Sequence, residues 1–193
     1  MTTVRLVRAI AASKGWLLQQ MDVKNAFLHG DLKEEIYMTP PSGLFSTPSF
    51  DVCKLKRSLY GLKQAPRAWF DKFRSTLLNF SFVQSQYDSF LFLCKIPKGI
   101  VLLLVYVDDI VITGTATDLI SKLQDHLQTS FHMKQDLGPL QYFLGHEVRS
   151  TSAGIFLHQH KYIQELIALA GLQDGRSVDT PLEVNVKYRH DEG

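Results

Sequence analysis

Ile100-Val101-Leu102-Leu103-Leu104-Val105-Tyr106-Val107-Asp108-Asp109-Ile110-Val111-Ile112 is the stretch whose reading decides the fold. Two short apolar runs, rich in β-branched residues, flank a pair of carboxylates. Runs of this length and composition read as buried strands. Asp108-Asp109 then falls at a tight turn between two strands of a hairpin. Asp is common in turns for local reasons, because its side chain bonds the nearby backbone. The functional alternative starts from charge. Two carboxylates pressed into one small volume repel unless a cation neutralises them or one takes up a proton. Hard oxygen donors suit Mg²⁺, and a metal held between carboxylates points to phosphoryl transfer.

A third carboxylate has the same setting. The segment from Trp16 to Met21 leans apolar and reads as a strand that ends at Asp22. Strand alternation places Leu17, Gln19 and Met21 on one face and Leu18, Gln20 and Asp22 on the other. Only the fold can bring Asp22 to the hairpin, since the two lie far apart in sequence.

The remaining chain supplies helices and short strands in alternation. A helix is expected from Thr2 or Thr3 to about Ser13, and short strands at Ile36–Met38 and Cys53–Leu55. Pro66 is suited to the first position of a helix over 66–80. Trp69, Phe70, Phe73, Leu77 and Phe80 give that helix an apolar stripe. Strands are expected over 89–95, 99–106 and 109–113, and a helix capped by Thr117 or Asp118 runs to about Thr129. A strand at Phe131–Lys134 and a break at Gly138-Pro139 follow. A hairpin over 140–149 and 154–157 then leads to a helix from Lys161 to Ala170 that stops at Gly171. Beyond Gly175 a polar, poorly ordered tail is expected. Helices interleaved with antiparallel hairpins give an α+β class.

The 193 residues suffice for one large domain or for one with a small appendage, and 45% hydrophobic composition provides a core. The net charge of +2 excludes a polycation. Lys54, Lys56, Arg57, Lys63, Arg67, Lys72 and Arg74 nevertheless fall in one stretch whose counter-charge is Asp71, which is either a phosphate-contacting stripe or a solvated surface. Cys53 and Cys94 stand alone, which fits a reducing compartment and argues against a zinc module. Arg5 and Arg8 interrupt the apolar N-terminal segment, so no secretory signal is read there. The apolar runs are too short to span a bilayer, and the expected location is intracellular and cytoplasmic.

Five blocks in order resemble the Ty1/copia-type retrotransposon reverse transcriptases. They are QMDVKNAFLHG from Gln20 to Gly30, SLYGLKQAPRAW from Ser58 to Trp69, Tyr106-Val107-Asp108-Asp109, Gly138-Pro139-Leu140 with the segment from Tyr142 to Val148, and Thr180-Pro181-Leu182. The resemblance covers nearly the whole chain. It implies a right-hand polymerase palm, an antiparallel sheet with helices on one face, with partial fingers over 1–150 and the start of the thumb over 151–193.

The same resemblance implies roles. Asp22, Asp108 and Asp109 would be catalytic and, with the Val23 carbonyl, would bind two Mg²⁺ ions, or Mn²⁺ in their place. Asn25, Ala26, Phe27, Tyr60 and Gly61 would meet the incoming dNTP, with Phe27 as the ring that excludes a 2′-hydroxyl or else as a core residue. Lys63, Arg67, Tyr106, Val107, Phe143, Leu144 and Gly145 would contact primer or template. The partners implied are an RNA or DNA template with its primer and dNTPs, without a membrane and with the oligomeric state open. The parent element would place the protein in a retrotransposon particle. Against the family pattern, the chain is expected to lack the preceding fingers cations, the rest of the thumb, and the ribonuclease H and integrase regions. Activity would then be impaired, and a non-catalytic nucleic-acid-binding or interaction module is the alternative. Arg8 departs from the apolar residue expected in its helix, and its burial without a partner would be costly.

Overall fold

The computed structural model describes residues 2–41, 43, 52–131, 133, 138–151, 154–173 and 175. In chain order the elements are α1 (Thr2–Lys14), β1 (Leu18–Asp22), a 3₁₀ turn (Ala26–His29), β2 (Tyr37–Met38), β3 (Cys53–Lys54), α2 (Ala65–Asn79), β4 (Val83–Gln84), β5 (Leu91–Ile96), β6 (Gly99–Tyr106), β7 (Asp109–Gly114), α3 (Thr117–Phe131), β8 (Tyr142–Phe143), β9 (His146–Thr151), β10 (Gly154–His158) and α4 (His160–Leu169). This is a mixed α+β fold around an antiparallel sheet, as expected. Two compact units divide it, Met1–His158 and Gln159–Gly193. The β9–β10 hairpin lies whole within the first unit.

The central sheet has the order β1-β7-β6-β5-β4. Its long strands are the apolar runs of the sequence. Side chains alternate between its faces, and each face builds its own core. On one face Met21, Phe92, Leu103, Val105, Ile110 and Ile112 meet the stripes of α2 (Trp69, Phe73, Leu77) and α3 (Leu123, Leu127, Phe131). On the other, Leu18, Leu104 and Val111 meet Ala11 of α1 and Leu140, Phe143 and Val148 from the region of the β10-β9-β8 sheet. The expectation of helices on one face is corrected here: α1 covers the face opposite α2 and α3.

Arg8 explains how α1 tolerates that position. It is buried, donates through Nη2 to the Phe143 carbonyl at 3.3 Å, and lies with its guanidinium carbon 5.3 Å from the centre of the Phe143 ring. Burial pushes its pKa down, and the carbonyl and ring offset part of that desolvation.

Several boundaries shift. The first strand begins at Leu18, leaving Leu17 exposed. Pro66 is the second residue of α2, after Ala65. Phe131 ends α3 instead of opening a strand, because it continues the i, i+4 row from Leu127 into the aromatic cluster with Trp69 and Phe73. The short strand β4 was not anticipated. Gly138-Pro139-Leu140 runs along β1, with Gln20 N–H donating to the Gly138 carbonyl and Leu140 N–H to the Leu18 carbonyl. In the second unit, α4 ends as expected at Gly171, which takes φ 68. The Thr180-Pro181-Leu182 block and the tail beyond Gly175 lie outside the described residues.

Candidate active site

Strand register assembles the carboxylates. Within β1–β7, Asp22 stands opposite Asp109, and within β6–β7, Tyr106 stands opposite Asp109. Directly opposed residues point to the same face, with Cβ atoms about 4.5–5.5 Å apart. Asp22, Asp109 and Tyr106 therefore form a row across three strands at one end of the sheet. The hairpin loop itself is Val107-Asp108, with Asp109 already the first residue of β7. A backbone bond from Val23 N–H to the Asp108 carbonyl, at 2.9 Å, ties the loop to the end of the Asp22 strand. Sequence-distant carboxylates thus meet through pairing of the apolar strands alone.

The loop is strained. Val107 takes φ 55 at the first central position of a two-residue hairpin, where Gly, Asn or Asp ordinarily supplies a positive φ. A β-branched residue there is an outlier and costs about 1–3 kcal/mol. The Trp69 indole Nε1–H donates to the Val107 carbonyl at 2.7 Å.

Asp109 is half-buried, and its pKa is raised above the ordinary carboxylate value. Burial is the largest cause; a hydrogen bond from Gln20 opposes it, and the charges of Asp108 and Asp22 add to the rise. The like-charge repulsion anticipated from the sequence is present but is second to desolvation. Gln20 Nε2 donates to Asp109 Oδ1 at 3.1 Å. Among the described residues, no three His, Cys, Asp or Glu side chains are arranged to hold a metal ion by themselves. The donor set still fits Mg²⁺, which is ordinarily bound by one or two carboxylates together with substrate phosphates and water.

The segment after Asp22 turns back under α2. Asn25 takes the left-handed conformation (φ 55, ψ 47) and starts the 3₁₀ turn. Ala26 is fully buried, and Gly30 lies against the backbone of α2, where an added Cβ would sit 2.7 Å from the Trp69 nitrogen. The Ser58 hydroxyl donates to the Phe27 carbonyl, and Ser58 N–H donates to the Gly30 carbonyl at 2.9 Å. This brings two of the expected nucleotide contacts together: the Phe27 and Tyr60 rings lie 4.8 Å apart, tilted by 47°. Gly61, beside them, needs its glycine for φ 89.

Residues 1–184 match the family profile described as Reverse transcriptase (RNA-dependent DNA polymerase). The chain belongs to the reverse transcriptase family. It is similar to the Retrovirus-related Pol polyprotein from transposon RE1 of Arabidopsis thaliana, 42% identical over 96% of this chain and 13% of that polyprotein. It is also similar to the corresponding polyprotein from transposon TNT 1-94 of Nicotiana tabacum, 41% identical over 97% of this chain and 14% of that protein. A putative transposon Ty5-1 protein of Saccharomyces cerevisiae is 30% identical over 84% of this chain and 53% of its own length. The chain thus spans about one seventh of the length of the two plant polyproteins, and the copia-type resemblance holds across it.

Other expected contacts of the reverse transcriptase domain are placed differently from one another. Lys63 and Arg67 line an open groove of about 420 Å³ together with Asp31, Glu34 and Asp71. The basic stretch is more neutralised than its sequence shows. Lys72 pairs with Asp31 at 2.6 Å, Lys54 pairs with Glu35, and Asp71 itself pairs with Lys33 at 3.6 Å. The Asp31–Arg57 bridge and the β2–β3 ladder carry these acids to the basic segment. Phe143 is fully buried under Arg8, so its side chain serves the core, while Leu144 and Gly145 (φ 51 and 78) form the turn from β8 to β9. Tyr106 and Val107 are exposed beside the carboxylates.

Two residues at the site were not singled out from the sequence, Gln20 and Trp69. The signal for Gln20 was present, since a residue two before Asp22 in a strand shares its face. Trp69 read as one more aromatic of a core stripe.

Proposed function

We propose that this reverse transcriptase domain transfers a deoxynucleoside monophosphate from a dNTP to the 3′-hydroxyl of a primer paired with an RNA or DNA template, by a two-metal mechanism. In this reading residues 1–150 form a palm with part of the fingers, and residues 151–193 begin the thumb. The observation that supports it best is the register: Asp22 faces Asp109, and Asp108 sits in the adjoining loop, bonded to the backbone of Val23.

The primer 3′-oxygen forms a bond to the α-phosphorus, the bond to the bridging α–β oxygen breaks, and pyrophosphate leaves with that electron pair while the hydroxyl proton passes to solvent. Bound Mg²⁺, or Mn²⁺, would supply activation of the hydroxyl and neutralisation of the phosphate charge. Asp22, Asp108 and the Val23 carbonyl would hold it, with Asp109 alongside. Gln20 fixes the Asp109 carboxylate. Backbone N–H groups of Asn25 and Ala26 would meet the phosphates, and the Phe27–Tyr60 ring pair beside Gly61 would wall the sugar. Tyr106, Val107 and the turn at Leu144-Gly145 would lie along the primer end, with Lys63 and Arg67 toward the template.

Single-nucleotide primer extension on an RNA template with Mg²⁺ and dNTPs tests this. Wild type is expected to extend, and Asp22→Asn or Asp108→Asn to lose on the order of a thousandfold in rate. Absence of extension by protein that melts cooperatively would favour a nucleic-acid-binding module.

A further inference from the structure

We propose that Trp69 is a positioning residue for the catalytic turn: its indole N–H holds the Val107 carbonyl and so keeps Asp108 beside Asp22 and Asp109. The inference rests on the polymerase reading above and adds to it a residue that touches neither substrate nor metal.

The turn cannot hold its shape by local chemistry. Val107 takes φ 55, a conformation its branched side chain disfavours, so the surroundings must impose it. Two bonds from outside the hairpin reach its carbonyls. One comes from Val23 N–H to Asp108, on the strand that carries Asp22. The other crosses from α2, where the Trp69 Nε1–H meets Val107 at 2.7 Å. Trp69 is 2% exposed. Its ring lies 5.2 Å from Phe73 and 5.0 Å from Phe131, the latter edge to face. The donor is therefore aimed by the core itself. An indole N–H donates and cannot accept, and a buried one requires an acceptor. Along α2 and the turn that follows it, from Ala65 to Phe82, the other aromatic residues are Phe: Phe70, Phe73, Phe80 and Phe82. The single Trp among them stands where a donor reaches the turn. Replacing it with Phe would keep an aromatic ring in the core and delete that donor.

The test uses the full chain as wild type, Trp69→Phe, Val107→Gly and the double variant, with Asp108→Asn as control. Trp69→Phe is expected to lower the rate of single-nucleotide incorporation about tenfold per active site. KM for the dNTP and Kd for template–primer should stay within about twofold. Glycine at 107 removes the branched side chain that needs holding. In the Val107→Gly background the same Trp69→Phe change should therefore cost under about twofold. An unchanged rate per active site in Trp69→Phe, or a tenfold loss that persists undiminished with glycine at 107, would overturn the proposal and leave Trp69 as core. Should Trp69→Phe fail to fold, labelled wild type decides. A scalar coupling across the hydrogen bond from Trp69 Nε1 to the Val107 carbonyl carbon is expected, and its absence would overturn the clamp. Failure of the polymerase reading shows itself separately, as wild type that does not extend or Asp108→Asn that extends equally well. The coupling still tests the clamp in that case.

Discussion

Strand β6 has a two-residue hairpin at each end, and the two are built on opposite principles. At its start, Ile96 pairs with Gly99 around Pro97-Lys98. Proline presets the backbone for the turn, and Gly99 takes φ 153. The residues at that turn are the ones its geometry asks for. At its end, Tyr106 pairs with Asp109 around Val107-Asp108, and Val107 takes a positive φ that its side chain opposes. That turn is held from outside, by Trp69 and by Val23. One hairpin joins two neighbouring strands inside the sheet. The other stores strain and places carboxylates, and its shape depends on elements remote in sequence.

Opposite substitutions at the two turns break the comparison most strongly. An added Cβ at Gly99 would lie 2.3 Å from Thr115 Oγ1 and 3.2 Å from the Ala116 nitrogen, in a conformation that favours glycine. Gly99→Ala should therefore cost about 2 kcal/mol of stability. Val107→Gly should have the opposite sign, a gain of up to about 1 kcal/mol, because relief of strain outweighs the extra freedom glycine gives the unfolded chain. Urea unfolding midpoints read both. A loss of stability in Val107→Gly would mean that the Val107-Asp108 turn is not strained.

A smaller effect sharpens the same contrast through pH. Asp109 has a folded pKa raised above its unfolded value, chiefly by burial. The folded state then binds the proton more tightly, so this group destabilises the fold at neutral pH. That penalty fades as pH falls through the raised pKa toward the ordinary value. Asp109→Asn should accordingly exceed wild type in melting temperature at neutral pH, with the margin closing in acid. A margin that does not change with pH would contradict the burial argument.

Much of this architecture was legible in the sequence because it is periodic. The β6–β7 hairpin and α2 follow from apolar runs and an i, i+4 aromatic stripe, and Asp22 was placed at the end of its strand. The position of α1 was not legible: its apolar residues mark a buried face without naming the partner. Arg8 obscured even that face until the Phe143 carbonyl and ring accounted for it. The neutralisation of Lys54 and Lys72 was hidden for a similar reason, since Glu35 and Asp31 reach them only through tertiary pairing. At the site, the carboxylates and the Phe27–Tyr60 pair carried a signal in their motifs. The role of the Trp69 N–H did not, because a helical stripe records where a ring packs and not where its one polar atom points.

Metal binding tests the central claim most directly. Mn²⁺, read by electron paramagnetic resonance, should bind the wild-type chain in the presence of template–primer and dNTP at about two ions per molecule. The Asp22→Asn/Asp108→Asn variant should lose that binding while keeping its cooperative melt. Equal Mn²⁺ uptake by wild type and variant would contradict the account, because Asp22 and Asp108, brought together by the β1–β7 register and the Val23–Asp108 backbone bond, would then not be the metal site.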